Sequence, residues 1–233
     1  MTRLAITLTG VSPILMNPMT EEILDQLWAP SGGRKAKLEV TPKAAAEGKV
    51  IRNEEGQVGI PAEYLLAALV TAGKFVKYDA RKNMSTNDSS LVPAFLFLEG
   101  MFYPFKNQKE PWIVDKRRGV LNNAGKSVAV CIVRPKFNKW EFDVDATFKD
   151  IDESKVLRLF EYAGKVAGLC DFRPSCRGPF GRFEVTRWES QADTNEEVET
   201  EKMFERSEAA EEEDRRIYAE ETREEEVALA KSA

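Results

Sequence analysis

An α+β fold is predicted by three features of the sequence. Two segments carry an apolar stripe at helical spacing, several others alternate apolar and polar residues as strands do, and the helices fall between the strands.

Residues 3–10 read as the first strand, with Leu4, Ile6 and Leu8 alternating with Ala5, Thr7 and Thr9. Pro13 and Pro18 end it, 21–28 is a short helix candidate, and 29–58 is polar with Gly32, Gly33, Pro42 and Gly48, hence a long loop. Ile60 and Pro61 open a helix over 61–76, proline being compatible with a first turn, and Leu65, Ala68, Leu69, Ala72 and Val76 form its buried stripe. The stretch 77–90 is polar, and 92–99 is apolar enough for a strand.

Residues 127–134 and 139–148 read as an antiparallel pair turning around Pro135 and Asn138. In the second of these Trp140, Phe142, Val144, Ala146 and Phe148 face one way, while Lys139, Glu141, Asp143, Asp145 and Thr147 face the other. Asp150 and Asp152 are candidate caps for a second helix over 154–168, whose stripe is Val156, Leu159, Phe160, Ala163, Val166 and Ala167. A last strand, 180–187, alternates Phe183 and Val185 with Arg182, Glu184 and Thr186. Strand, helix, strand pair, helix, strand is a split βαβ, ferredoxin-like order, here with a large insertion at about 77–126.

The net charge of -5 conceals an asymmetry. Residues 189–233 hold 17 Asp+Glu and 6 Lys+Arg, a net -11, which leaves 22 and 28 for residues 1–188, a net +6. The body, 1–188, is read as one domain and 189–233 as an acidic tail, helical or disordered, with too few large apolar residues to build a core. A basic body fits a polyanionic partner, and an acidic segment can engage a basic protein.

There is no histidine, which removes the usual general base and the commonest metal ligand. Cys131, Cys170 and Cys176 lack zinc-site spacing, and their odd number fits a reduced, cytoplasmic setting better than a disulfide framework. No signal-peptide pattern opens the chain and no apolar run approaches a membrane span, so no membrane partner is expected. No cofactor and no metal are expected either. Aligned Glu141, Asp143 and Asp145 are capable in principle of holding a divalent cation, but no second ligand cluster accompanies them. The same acidic stripe speaks against nucleic acid lying across the middle of the sheet.

The candidate site is the loop between the second helix and the last strand. Arg173, Arg177, Gly178 and Arg182 lie in a segment stiffened by Pro174, Pro179 and Gly181, and guanidinium pairs bidentately with phosphate. The alternative is that these arginines bridge neighbouring carboxylates. The insertion interleaves Phe102, Tyr103, Phe105 and Trp112 with Lys116, Arg117, Arg118 and Lys126, as a single-stranded nucleic-acid surface requires, or buries its aromatics beneath a solvated hairpin. Arg134 and Lys136 extend the basic set.

Four stretches, LTGVSPILM at 8–16, GIPAEYLLAAL at 59–69, VRPKFNKWEFDVDATF at 133–148 and AGKVAGLCDFRPSCRGPFGRFEV at 163–185, resemble small phage and prophage proteins that are themselves similar to the RAMP superfamily. That superfamily includes the backbone subunits of CRISPR surveillance complexes. The resemblance implies a modified RNA-recognition-motif fold with a thumb-like insertion and a glycine-rich loop after the second helix. It also implies a non-enzymatic protein that binds single-stranded nucleic acid and forms a homo-oligomer along it, in the cytoplasm of a host cell. The other expectation is a phage assembly or inhibitor protein that docks another protein through its acidic tail.

Overall fold

Leu4, Ile6 and Leu8 are buried on one side of β1 (Thr2–Gly10), as their alternation requires. The protein is described from a computed structural model over residues 1–19, Leu24, 41–123 and 126–192. The helix expected at 21–28 therefore lies almost wholly outside the described residues, as does the acidic tail beyond Ala192. The chain divides into two units, Met1–Ala192 and Asp193–Ala233, and the first carries everything described below.

After β1 come β2 (Ile14–Leu15), α1 (Pro42–Glu47), β3 (Gly59–Pro61) and α2 (Ala62–Ala72). The stretch expected as loop at 29–58 thus contains a helix, started by the Thr41 hydroxyl accepting from Ala44 N and by proline in the first turn. Pro61 is extended, at φ -62 and ψ 144, so it ends β3 and enters α2 in one residue. Next are α3 (Val92–Phe95), β4 (Leu96–Leu98) and β5 (Phe102–Pro104). Half of the strand expected at 92–99 is therefore a helical turn, because Pro93 supplies a helical φ and no donor.

β6 (Trp112–Asn123) and β7 (Lys126–Phe137) form a long hairpin. β8 (Glu141–Phe148), α4 (Glu153–Tyr162) with a π turn at Ala163–Ala167, and β9 (Phe183–Ala192) complete the unit. α4 begins where expected, but Asp152 makes no side-chain cap and pairs instead with Lys155 Nζ at 3.0 Å.

The main sheet runs β4-β8-β1-β9 with every neighbour antiparallel. The first and last strands are partners, Thr2 opposite Ala192 and Gly10 opposite Phe183. One expected member is missing: 127–134 does not pair with 139–148 but belongs to β7, which joins β6 and β2 in a separate sheet. Alternation specifies which faces a strand presents and not which strand lies beside it. Pro135, read as a turn, is accommodated inside β7 opposite Val114.

The apolar face of the main sheet, with Phe142, Val144, Ala146 and Phe148, shares one core with Leu65, Leu69 and Ala72 of α2 and Val156, Leu159 and Phe160 of α4. Phe160 meets Trp188 edge-on at 5.7 Å, which fixes α4 over β9. The other face of the sheet is open. Glu141, Asp143 and Asp145 of β8 stand opposite Thr9, Thr7 and Ala5 of β1, beside Glu184 and Glu189 of β9.

Candidate nucleic-acid interface

Residues 168–182 leave α4 and return into β9 as a loop braced by its own backbone. Leu169 N donates to Gly181 O at 2.9 Å and closes the neck, and Gly178 N donates to Arg173 O at 2.9 Å across the middle. Asp171 N donates to Leu15 O at 2.9 Å and seats the loop on β2. Two glycines are dictated by space. A Cβ on Gly178 would strike the Phe172 carbonyl, and one on Gly181, at φ 69, would strike the Leu169 backbone. Cys170, Phe172 and Arg177 adopt positive φ of 59, 50 and 63 without being glycine, a concentration of strained backbone that the bracing maintains.

The hairpin approaches this loop along one face. Register puts Asp115 and Arg117 of β6 on the same side as Arg134 and Lys136 of β7, and Lys116 and Arg118 on the opposite side. Arg134 is buried. Its guanidinium donates to Asp171 at 2.7 Å and to Asp115 at 3.0 Å, and Nε has no partner. Asp115 also accepts from Arg117 Nε, at 2.9 and 3.0 Å to its two oxygens. Arg117 then lies over the loop's aromatics, 4.7 Å from the Phe180 centroid and 5.8 Å from that of Phe172. Lys49 closes the group from below. Burial and then the Arg134 charge hold its ammonium below its ordinary value against the pull of Asp171, and Nζ donates to Val133 O at 2.9 Å.

The ten basic and glycine positions expected at the site thus separate into distinct roles. Arg134 is a buried strut between hairpin and loop, so it is not a phosphate contact. Arg173 is half-buried and turned back on its own loop, Nη1 donating to Cys170 O at 2.8 Å and Nε to Ser175 Oγ at 3.0 Å. Gly178 is buried and acts through the space it leaves. Arg177 and Arg182 are exposed, and neither side chain has a hydrogen bond or ion pair among the described residues. Lys116 and Arg118 are exposed on the far side of the hairpin, and Lys136 is half-buried beside Arg134. Lys126 begins β7, and its side chain lies outside the described residues. Of the basic residues at 116–118, Arg117 joins the loop, while Lys116 and Arg118 face the opposite side of the hairpin.

Sequence reading missed the two carboxylates that organise the cluster, Asp115 and Asp171. An isolated aspartate in a basic stretch gives no signal until its buried partner is known. The three thiols are free, with Cys131 and Cys176 exposed and Cys170 buried, and burial pushes the Cys170 thiol up to about 12.

The acidic stripe of β8 is occupied by a lysine. Lys106 Nζ lies 2.9 Å from Glu141 and 2.8 Å from Asp143, and Thr9 and Thr7 donate to the same carboxylates. Glu141 is held below the usual carboxylate range by Lys106 and then Thr9. Burial pushes Asp143 up, and Lys106 and Thr7 together outweigh it, so it too is lowered. Among the described residues no group of three or more Cys, Asp or Glu is placed to hold a metal, and no helix is long and apolar enough to cross a membrane.

No protein-family profile and no curated protein matches the chain. Among solved structures, it is similar to a chain of the "Type III-B Cmr-beta bound to cognate target RNA", at a TM-score of 0.48 and 11% identity, over 81% of this chain and 60% of that one. The chain thus spans less than two thirds of the length of that neighbour.

Proposed function

We propose that the protein is a non-enzymatic single-stranded nucleic-acid-binding protein whose contact surface is the 168–182 loop with the adjoining face of the β6–β7 hairpin. The observation that carries the reading is a braced loop with two exposed guanidiniums, Arg177 and Arg182, that have no hydrogen bond or ion pair among the described residues, and with Arg117 spread over its Phe180. A loop already braced loses little entropy on binding, so its charges meet phosphates with little reordering. Half-exposed Phe172 offers a ring at the same place for a base to stack on. The open face of the main sheet carries five carboxylates at 141, 143, 145, 184 and 189 against Lys106, paired with Glu141 and Asp143, and Arg187, paired with Glu189, a net negative surface less favourable to a phosphodiester than the loop and hairpin.

The strand order β4-β8-β1-β9 supports a ferredoxin-like assignment within this reading, with β1, α2, β4, β8, α4 and β9 as its successive elements and the hairpin as the thumb-like insertion. The sequence resemblance to the RAMP superfamily extends the proposal to copies lined up along one strand, in a phage or CRISPR-like setting in the host cytoplasm. A second reading, docking of a basic protein partner in phage assembly or inhibition, is favoured by the acidic open face and by the acidic residues beyond Ala192.

Anisotropy with labelled single- and double-stranded oligonucleotides at about 50 and about 200 mM salt tests the function, because each phosphate contact contributes slightly less than one unit of log–log slope. Single strands are expected to bind more tightly, and the Arg177→Ala, Arg182→Ala double variant to flatten the slope at unchanged melting temperature. An unchanged slope with a lowered melting temperature makes the loop purely structural and sinks the reading.

A further inference from the structure

A second basic feature lies in the segment linking α2 to α3, and it shares no residue with the loop and hairpin. Residues 74–91 line a shallow, open hollow of about 650 Å³. Lys74, Lys77, Arg81 and Lys82 line it, and no carboxylate does. The remaining lining is uncharged and supplies hydroxyl and amide groups, Ser85, Thr86 and Asn87 among them.

The frame around the cavity is fixed before any ligand arrives. Met84 N donates to Val76 O at 2.9 Å, Ser85 N to Gly73 O at 3.0 Å, Tyr78 N to Lys82 O at 2.9 Å and Leu91 N to Met84 O at 2.8 Å. Ser85 is buried, and its hydroxyl is paired with that of Ser90 at 2.8 Å. The carboxylate within the turn, Asp79, is engaged chiefly by the main chain. Asp79 Oδ1 accepts the backbone N–H groups of Arg81 and Lys82, both at 2.7 Å, and those two bonds, the Arg81 amide first, hold its carboxyl below the ordinary value. Asp79 therefore shapes the turn chiefly through the main chain, with a lesser attraction to the Lys82 charge, and makes no side-chain hydrogen bond or ion pair with Arg81 or Lys82. Lys77, Arg81 and Lys82 have no side-chain hydrogen bond or ion pair among the described residues, and Lys74 contacts only the Asn87 amide oxygen, at 3.1 Å.

Four cations and no acidic residue line the cavity, so an anion of several negative charges is attracted there, with Asp79 beside Lys82 as a partial offset. We propose that this cavity is a phosphate-binding site for a ligand bearing a terminal phosphate or polyphosphate group, held by Lys77, Arg81 and Lys82. Two sources present that chemistry, a free nucleotide and the phosphorylated 5′ end of a strand.

Calorimetry on the full chain with tripolyphosphate as probe tests the site, against sodium sulfate matched in ionic strength. Tripolyphosphate is expected to bind saturably. The Lys77→Gln, Arg81→Gln, Lys82→Gln triple variant, which removes no backbone bond of the frame, is expected to lose at least tenfold in affinity at unchanged melting temperature. Arg177→Ala, Arg182→Ala is expected to leave it unchanged, so failure here and failure of the nucleic-acid reading are separable. Competition assigns the source. A 5′-phosphorylated oligonucleotide that displaces the probe better than its 5′-hydroxyl twin identifies the strand end. Displacement by a nucleoside triphosphate, with the two oligonucleotides equal, identifies the free nucleotide. No saturable heat, sulfate matching tripolyphosphate, or full affinity in the triple variant overturns the proposal.

Discussion

Arg117 holds its guanidinium carbon 4.7 Å from the centre of the Phe180 ring. This contact ties a strand of the hairpin to a loop some sixty residues later in the sequence, and Asp115 fixes the arginine's other edge. With its side chain 41% exposed, the stacking is worth roughly 0.5–1 kcal/mol. Arg117→Lys keeps the charge and loses the planar edge, so it is expected to weaken nucleic-acid binding while leaving the salt slope unchanged. A slope lowered to the level of Arg117→Ala would show that only charge matters at this position.

Arg134 is the strut beneath that contact. Removing one member of a buried, hydrogen-bonded ion pair costs about 3–5 kcal/mol, and here Asp115 keeps its Arg117 donor, so the loss falls towards the lower end. Arg134→Met is therefore expected to lower the urea midpoint strongly. Arg134→Met with Asp115→Leu, which removes the buried carboxylate as well, is expected to recover part of the loss. A single variant as stable as the parent would contradict the assignment of Arg134 to structure.

Gly178 tests how rigid the loop must be. A side chain there meets the Phe172 carbonyl, so Gly178→Ala is expected to cost about 1–3 kcal/mol and to weaken binding by displacing Arg177. Limited proteolysis within 172–180, compared with the parent, reports the loosening directly. An Ala variant with parental affinity and protease resistance would show that the loop is not preorganised.

The thiols give a pH prediction. Cys131 and Cys176 are exposed and are expected to react with a thiol reagent in the native state, while Cys170 reacts only on unfolding. The folded Cys170 thiol is raised to about 12 from an ordinary 9.0, so above 9.0 the unfolded chain has lost a proton that the folded chain retains. This contribution to stability is complete below 9.0 and declines as pH rises towards about 12. Cys170→Ala is expected to flatten that decline, measured by denaturant midpoints across the range.

β9 continues to Ala192, past the compositional change at residue 189, so a truncation that spares the sheet ends there. Residues 193–233 carry 16 Asp+Glu and 6 Lys+Arg, a net -10. Their removal is expected to tighten nucleic-acid binding at low salt, with the gain shrinking as screening falls to about 8 Å at physiological ionic strength. Equal affinity with and without them at low salt would exclude electrostatic competition.

Both core helices and the two central strands were legible because each carries a periodic apolar face: Leu65, Leu69 and Ala72 in α2, Leu159 and Phe160 in α4, Leu4, Ile6 and Leu8 in β1, Phe142 and Val144 in β8. Partner choice was not legible. β7 alternates as well as β8 does, and only three-dimensional packing sends it to β6. In the 168–182 loop, the glycines that the tight backbone requires were legible in the sequence. The division of labour was not, because Arg134, Arg173 and Arg177 look alike until burial separates strut, brace and exposed charge.

The position of β1 governs how the protein can be made. Thr2 faces Phe148 on one side and Ala192 on the other, so β1 pairs with strands that follow it by well over a hundred residues. Until residues 141–148 emerge, Leu4, Ile6 and Leu8 have no sheet to enter, and until residues 183–192 follow, one hydrogen-bonding edge of β1 stays open. Such non-local pairing folds slowly, and an open apolar edge is a template for another chain. A chain whose β8 is available before its β9 is therefore expected to pair with another copy more readily than the completed sheet does.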